Sequence, residues 1–115
     1  MNKNLNITWD DFKKIEIRIG TIIEVNDFPD AIKSAYQIKV DLGEKIGLKK
    51  SSAQITSLYS KEELINKQVL VVVNFPPKKI GSFISECLIT GFYKNDSSVV
   101  LATSDKNVPN GSLLV

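Results

Sequence analysis

Apolar and polar residues alternate along most of this chain. From Ile15 to Val25 the odd positions read Ile15, Ile17, Ile19, Thr21, Ile23 and Val25, while Glu16, Arg18 and Glu24 fall between them. A period of two sends one set to a core and the other to water, so this stretch predicts a long β-strand. Its length is enough to curl around a small barrel, and Gly20 at its middle marks a place to bend. After a loop over 26–34 that contains Pro29, the residues Tyr36, Ile38, Val40 and Leu42 alternate with Gln37, Lys39 and Asp41. Gly43-Glu44 then predicts a turn into a third strand over 46–51, so the first three strands form a meander.

The period changes after that. Ser60-Lys61-Glu62-Glu63 fits the capping box S-x-x-E, in which Ser60 caps the amide of Glu63 and Glu63 reaches back. A short helix is predicted there, with Leu64 and Ile65 as its apolar face and its end near Asn66. Val69 to Val73 is an unbroken apolar run, the mark of a strand covered on both faces, and Pro76-Pro77 ends it. Further strands are predicted over 83–91 and 98–102, separated by the turn Asn95-Asp96-Ser97. Near the start, Thr8-x-x-Asp11 has the form of a helix N-terminus, with Trp9 and Phe12 expected to plug the base of the core.

Three strands, a short helix and then more strands is the order of an OB-fold, an all-β, five-stranded Greek-key barrel. A β-sandwich is the competing architecture, and the helix between strands three and four argues against it. One domain over 1–115 is expected, with 1–14 and 103–115 as extensions that flank the barrel. The closing Leu113-Leu114-Val115 is either buried against a second copy or tucked as a last strand on the same barrel.

Composition removes most catalytic chemistry. Among the 115 residues there is no histidine and a single cysteine, Cys87. A Ser-His-Asp triad, a Cys-His pair, a CxxC couple and a zinc site built on His or four Cys are all excluded. The adjacent carboxylates Asp10-Asp11 and Glu62-Glu63 do not face each other on a helix or strand, so neither makes an acid–base couple. The six glycines fit no phosphate-binding loop. No enzyme, cofactor or metal is expected. No apolar run approaches the roughly 20 residues of a membrane span, and MNKNLNITWDD lacks a signal-peptide core, so a cytoplasmic protein without membrane insertion is the expectation. The sequons at Asn6, Asn95 and Asn110 then read as chance occurrences.

A net charge of +2 does not announce a nucleic-acid binder; the positions of the lysines matter more. Two polar stretches interrupt regular strands. The first is Lys49-Lys50-Ser51-Ser52-Ala53-Gln54-Ile55-Thr56, and the second is Asn74-Phe75-Pro76-Pro77-Lys78-Lys79-Ile80. Lysines supply charge to phosphates, hydroxyls and amides supply hydrogen bonds to sugars and base edges, and Phe75 offers a stacking face.

Those stretches, with Asp11 to Ile22, Leu64 to Val69 and Val108-Pro109-Asn110-Gly111, resemble the CsaA family. That family is related to the tRNA-binding domain appended to methionyl- and phenylalanyl-tRNA synthetases. The resemblance runs from about Asp11 to Gly111, and its S-S-A-Q-I-T and N-F-P-P-K-K-I runs are specific. It implies an OB-fold homodimer whose terminal extensions form the interface. It also implies tRNA as a partner, and a chaperone role toward preproteins or export components. Arg18, Lys50, Ser51, Ser52, Gln54, Asn74, Lys78, Lys79, Ser85 and Glu86 fall on the family's motif positions, and Lys49 adds charge beside them. Arg18 reads equally well as half of a structural salt bridge. In Gly81-Ser82-Phe83-Ile84 the family's usual glycine is Ser82 and its frequent basic residue is Ile84. One phosphate contact is thereby lost, which lowers the salt slope of binding by about one.

Overall fold

β1 (Ile17–Asp27) organises the barrel in this computed structural model, which describes residues 5–115. Its second half pairs antiparallel with β2 (Tyr36–Asp41), from Thr21 opposite Asp41 to Asp27 opposite Tyr36. Its first half pairs with β4 (Gln68–Val72), from Ile17 opposite Val72 to Thr21 opposite Gln68. One strand therefore serves two walls, and it must bend between them. Gly20 sits at the bend, where a Cβ would lie 2.3 Å from Val40 Cγ1, a space only glycine leaves open.

The predicted alternation of β1 breaks at a bulge. Ile22 faces Val40 and Glu24 faces Lys39, so Ile23 has no partner of its own. The extra residue reverses the phase. Ile22 is fully buried and Ile23 turns to solvent, against the expectation that Ile23 points inward. Val25 then regains its place against the core.

β2 is joined to β3 (Leu48–Ala53) by a single helical turn, α2 (Gly43–Ile46), where a plain turn was expected. Tyr36, Ile38 and Val40 alternate into the core, as their spacing predicts. The predicted capping box forms in full at α3 (Lys61–Leu64): Ser60 Oγ accepts from the Glu63 amide at 3.2 Å and Glu63 Oε1 accepts from the Ser60 amide at 2.7 Å. This single turn drops Leu64 into the barrel, where it is fully buried with Ile22, Ile38, Val40, Leu42, Val69 and Val71. Burying one such aliphatic side chain is worth about 1.5–3 kcal/mol.

The predicted strand over 83–91 is three strands. β5 (Lys78–Ile80) pairs with β6 (Phe83–Ser85) as a hairpin, β7 (Leu88–Ile89) pairs with β4, and β8 (Gly91–Tyr93) pairs with β9 (Val99–Leu101). The main sheet runs β3-β2-β1-β4-β7. Side chains largely close its seam. Ser51 Oγ donates to Cys87 O at 3.0 Å, the Lys50 amide donates to Glu86 Oε1 at 3.0 Å, and the Glu86 amide returns a bond to Lys50 O at 2.7 Å. The result is the expected all-β, OB-like barrel of five strands.

The chain's last residues lie along the part of β1 that β2 leaves free. The Gly111 amide donates to Ile19 O at 2.7 Å, the Ile19 amide to Ser112 O at 3.0 Å, and the Leu114 amide to Ile17 O at 2.8 Å. Gly111 adopts φ +91°, and a Cβ there would meet Leu42 O at 2.6 Å. The tail's main chain thus belongs to its own barrel, while Leu113, Leu114 and Val115 keep their side chains largely exposed. Beside them lies α1 (Trp9–Lys13), capped as its sequence predicts by Thr8 and Asp11. Trp9 does not plug the core: it is 77% exposed and stands edge-on to Phe12, with ring centroids 6.4 Å apart. The first four positions of the expected N-terminal extension lie outside the described residues.

Candidate nucleic-acid interface

The two polar stretches meet at the seam. Across β5 and β6, Lys78 faces Ser85 and Lys79 faces Ile84. A groove of about 780 Å³ opens there, lined by Ser52, Gln54 and Ser85 together with Phe75, Lys78 and Lys79. Six of the sequence-derived residues therefore converge on one concavity. Phe75 is 55% exposed, and the two prolines after it stiffen its path into β5. Among the described residues, Lys49, Lys50, Lys78 and Lys79 make no ion pair, so their charge is available to an anionic ligand.

β3 divides its own motif between two faces. Lys49 and Ser51 stand on the phase of Val40 and Ile38, and Ser51 is fully buried. Lys50 and Ser52 take the opposite phase, beside Lys39 and Gln37. Lys50 Nζ lies 5.4 Å from the centroid of the Phe83 ring, which itself packs on Phe28 at 5.3 Å. This cation–π contact, worth about 0.5–1 kcal/mol at an exposed site, holds the charge against the β5–β6 hairpin.

Three further positions are wired into the scaffold. Arg18 Nε donates to Glu16 Oε1 at 2.7 Å and its Nη1 to Gly111 O at 2.6 Å, tying the tail to β1. Asn74 Oδ1 accepts from the Glu16 amide at 3.0 Å and its Nδ2 donates to Lys14 O at 2.7 Å. Asn74 thereby fastens the end of the N-terminal arm to the approach of Phe75. Glu86 bonds the Lys50 main chain in both directions and closes the seam. Sequence motifs had grouped these residues with the contact surface; their side chains are engaged by the protein itself. Ile80 and Leu88 also line the groove without having been singled out, because apolar flanks of a polar motif read as core.

Cys87 is buried at the groove's wall. Burial first, and the neighbouring Glu86 charge second, push its thiol up to about 11 from an ordinary 9.0. Since the neutral form is favoured in the fold, this contribution to stability is complete below pH 9.0 and is lost as pH rises through about 11. Iodoacetamide is expected to leave Cys87 unmodified in the folded protein at pH 8 and to label it readily in denaturant. Mass spectrometry decides this, and fast labelling of the folded chain would contradict the inert assignment.

Comparisons with known proteins bear on the family and the fold. Residues 17–113 match the family model described as "Putative tRNA binding domain". Methionine–tRNA ligase from Pyrococcus abyssi is 37% identical over 110 residues, and that from Leptospira biflexa 39% over 108, covering 96% and 94% of this chain. The chain spans about 15% of the length of each of these relatives. Among solved structures, the CsaA chaperone protein from Picrophilus torridus has a TM-score of 0.90 and 52% identity, covering 96% of this chain and 100% of that one. The chaperone CsaA from Bacillus anthracis has a TM-score of 0.89 and 38% identity, covering 96% and 99%. No helix among the described residues is long and apolar enough to cross a membrane. With the barrel, the seam groove and a match over nearly its whole length, this chain belongs to the tRNA-binding domain family.

Proposed function

We propose that this protein is a non-catalytic, cytoplasmic binder of folded RNA, tRNA above all, acting as a homodimer. The observation that carries the reading is the convergence of Ser52 and Gln54 from one polar stretch, Lys78 and Lys79 from the other, and Ser85 of β6 on one groove of a family barrel. Phosphates lie against Lys50, Lys78 and Lys79, with Lys49 adding charge from the other face of β3. Ser52, Gln54 and Ser85 hydrogen-bond sugar or unpaired bases, and Phe75 gives a stacking surface. Arg18, Ser51, Asn74 and Glu86 serve by holding the tail, the seam and the arm in place.

A tRNA titration at several salt concentrations tests this. Binding is expected to tighten steeply as salt falls, and tRNA is expected to outcompete an equal mass of heparin. No binding at low salt, or equal displacement by heparin, would refute the proposal.

A second reading is a chaperone for unfolded or preprotein segments, in keeping with the similarity to CsaA chaperones. The apolar face of Trp9 and Leu113 to Val115, with the half-buried Phe12 beside them, favours it where that face meets a client instead of a second copy. Suppressed aggregation of a denatured client, undiminished by excess tRNA, would support this reading over the first.

A further inference from the structure

The groove does not end at Gln54. Past Ser52, Gln54 and Leu88, which it shares, a second chamber of about 400 Å³ continues under the β8–β9 hairpin. The two chambers differ in chemistry. The first carries Lys78 and Lys79, whereas among the described residues no charged side chain lines the second. A phosphate entering the second chamber would find no cation, while a neutral, flat group would lose little by entering it.

Tyr93 gives that group a surface. In the hairpin, Gly91 faces Leu101, Phe92 faces Val100 and Tyr93 faces Val99, so Tyr93 shares a face with the buried Leu101. Tyr93 lines the chamber and is nonetheless 81% exposed, so the ring is available to a ligand. An exposed tyrosine on a hairpin is ordinarily just surface. This one shares its chamber with the Gln54 carboxamide, which has no hydrogen-bond partner among the described residues. Thr90, by contrast, spends its hydroxyl on Leu70 O at 2.8 Å. A carboxamide with two donors and an acceptor can meet the edge of a base whose face lies on an aromatic ring.

We infer that the second chamber receives one unpaired nucleobase of the bound RNA, stacked on Tyr93 and read at its edge by Gln54, while the adjoining phosphates lie on Lys78 and Lys79. The inference rests on the RNA-binding reading and sharpens it. The ligand is an RNA with unstacked nucleotides beside its paired regions, since a continuous duplex keeps its bases from any aromatic platform.

The test compares the unaltered chain with Tyr93→Ala, Tyr93→Phe and Phe92→Ala, each titrated with tRNA and with a fully paired RNA duplex over a range of salt. Tyr93→Ala is expected to weaken tRNA binding by about 5- to 150-fold, the yield of one base–aromatic stack. Its salt slope stays that of the unaltered chain, because no phosphate contact has gone. Tyr93→Phe recovers most of the loss. Phe92→Ala, on the hairpin's other face, changes nothing, and duplex binding is indifferent to all three. Full tRNA affinity in Tyr93→Ala overturns the inference, and so does a fall in salt slope alongside affinity. Should Tyr93→Ala impair only the capture of an unfolded polypeptide, the chamber is a peptide side-chain pocket and the base assignment fails. If the unaltered chain binds no tRNA at all, the functional reading falls with it, a result distinct from the others.

Discussion

Replacing Lys78 and Lys79 together by alanine is expected to weaken tRNA binding by roughly 15- to 30-fold at 0.15 M salt. Each lysine that neutralises a phosphate releases about 0.7–0.9 of a counterion, which is worth roughly four- to fivefold at that salt concentration. The logarithmic salt slope should therefore become shallower by about 1.4–1.8. Both side chains line the groove, and neither makes an ion pair among the described residues, so the substitutions remove ligand contacts and little else. The hairpin's main-chain ladder to Ile84 and Ser85 is untouched, and the melting temperature should move little. Titration of the unaltered and doubly substituted chains at four or five salt concentrations decides the matter. Equal affinity, or lower affinity at an unchanged slope, would remove the lysines from the phosphate path.

Local signals in the sequence translated well, and non-local ones did not. Both helix-start signals are contained within four residues: the capping box at Ser60 forms as written, and the helix start at Thr8 is found to close as a capping box with Asp11. The β2 alternation is likewise self-contained. The bulge in β1 left no trace, because Ile22 and Ile23 are both apolar and either can fill the core. The strand over 83–91 divides because its pieces answer to three partners: β6 and β8 each join a neighbouring strand in a hairpin, while β7 between them pairs with the more distant β4.

The site was legible by residue type and less so by face. Period two places Lys49 and Ser51 on one side of β3 and Lys50 and Ser52 on the other, so a run of polar residues is not one surface. Ser51 is buried because Cys87 O, far away in sequence, needs a donor at the seam. Arg18, which simple alternation assigns to the outward phase, instead stands opposite the fully buried Val71 with 22% of its side chain exposed; its acceptor Gly111 lies 93 positions on, and only the folded tail brings the two together. A net charge of +2 also gave little guidance. It averages uncompensated lysines at the seam with carboxylates spent elsewhere, such as Glu16 on Arg18 and Asp27 on Lys61. Two seams in one dimer would add avidity to that local charge.

Deleting Leu113 to Val115 is expected to turn the homodimer proposed here into a monomer while leaving the barrel folded. These three side chains, with Trp9 and Phe12, form an exposed apolar face that spans both extensions. Half-burial of two leucines and near-complete burial of a valine, counted in both copies, gives roughly 6–10 kcal/mol by area. Association costs absorb much of that. A surplus of about 4 kcal/mol still corresponds to a dimer weakened roughly a thousandfold by the deletion. The fold should survive, because Gly111 and Ser112 remain to bond Ile19 from both sides, and Arg18 keeps Gly111 O. Among the described residues, the one main-chain bond lost is that from the Leu114 amide to Ile17 O. Light scattering at micromolar concentration should give half the mass of the full chain, with circular dichroism unchanged. An undiminished mass would place the interface elsewhere, and a collapsed spectrum would make the tail a strand the barrel cannot do without. A monomer that binds tRNA with the affinity of one site and a shallower salt slope would separate what each groove contributes from what pairing two of them adds.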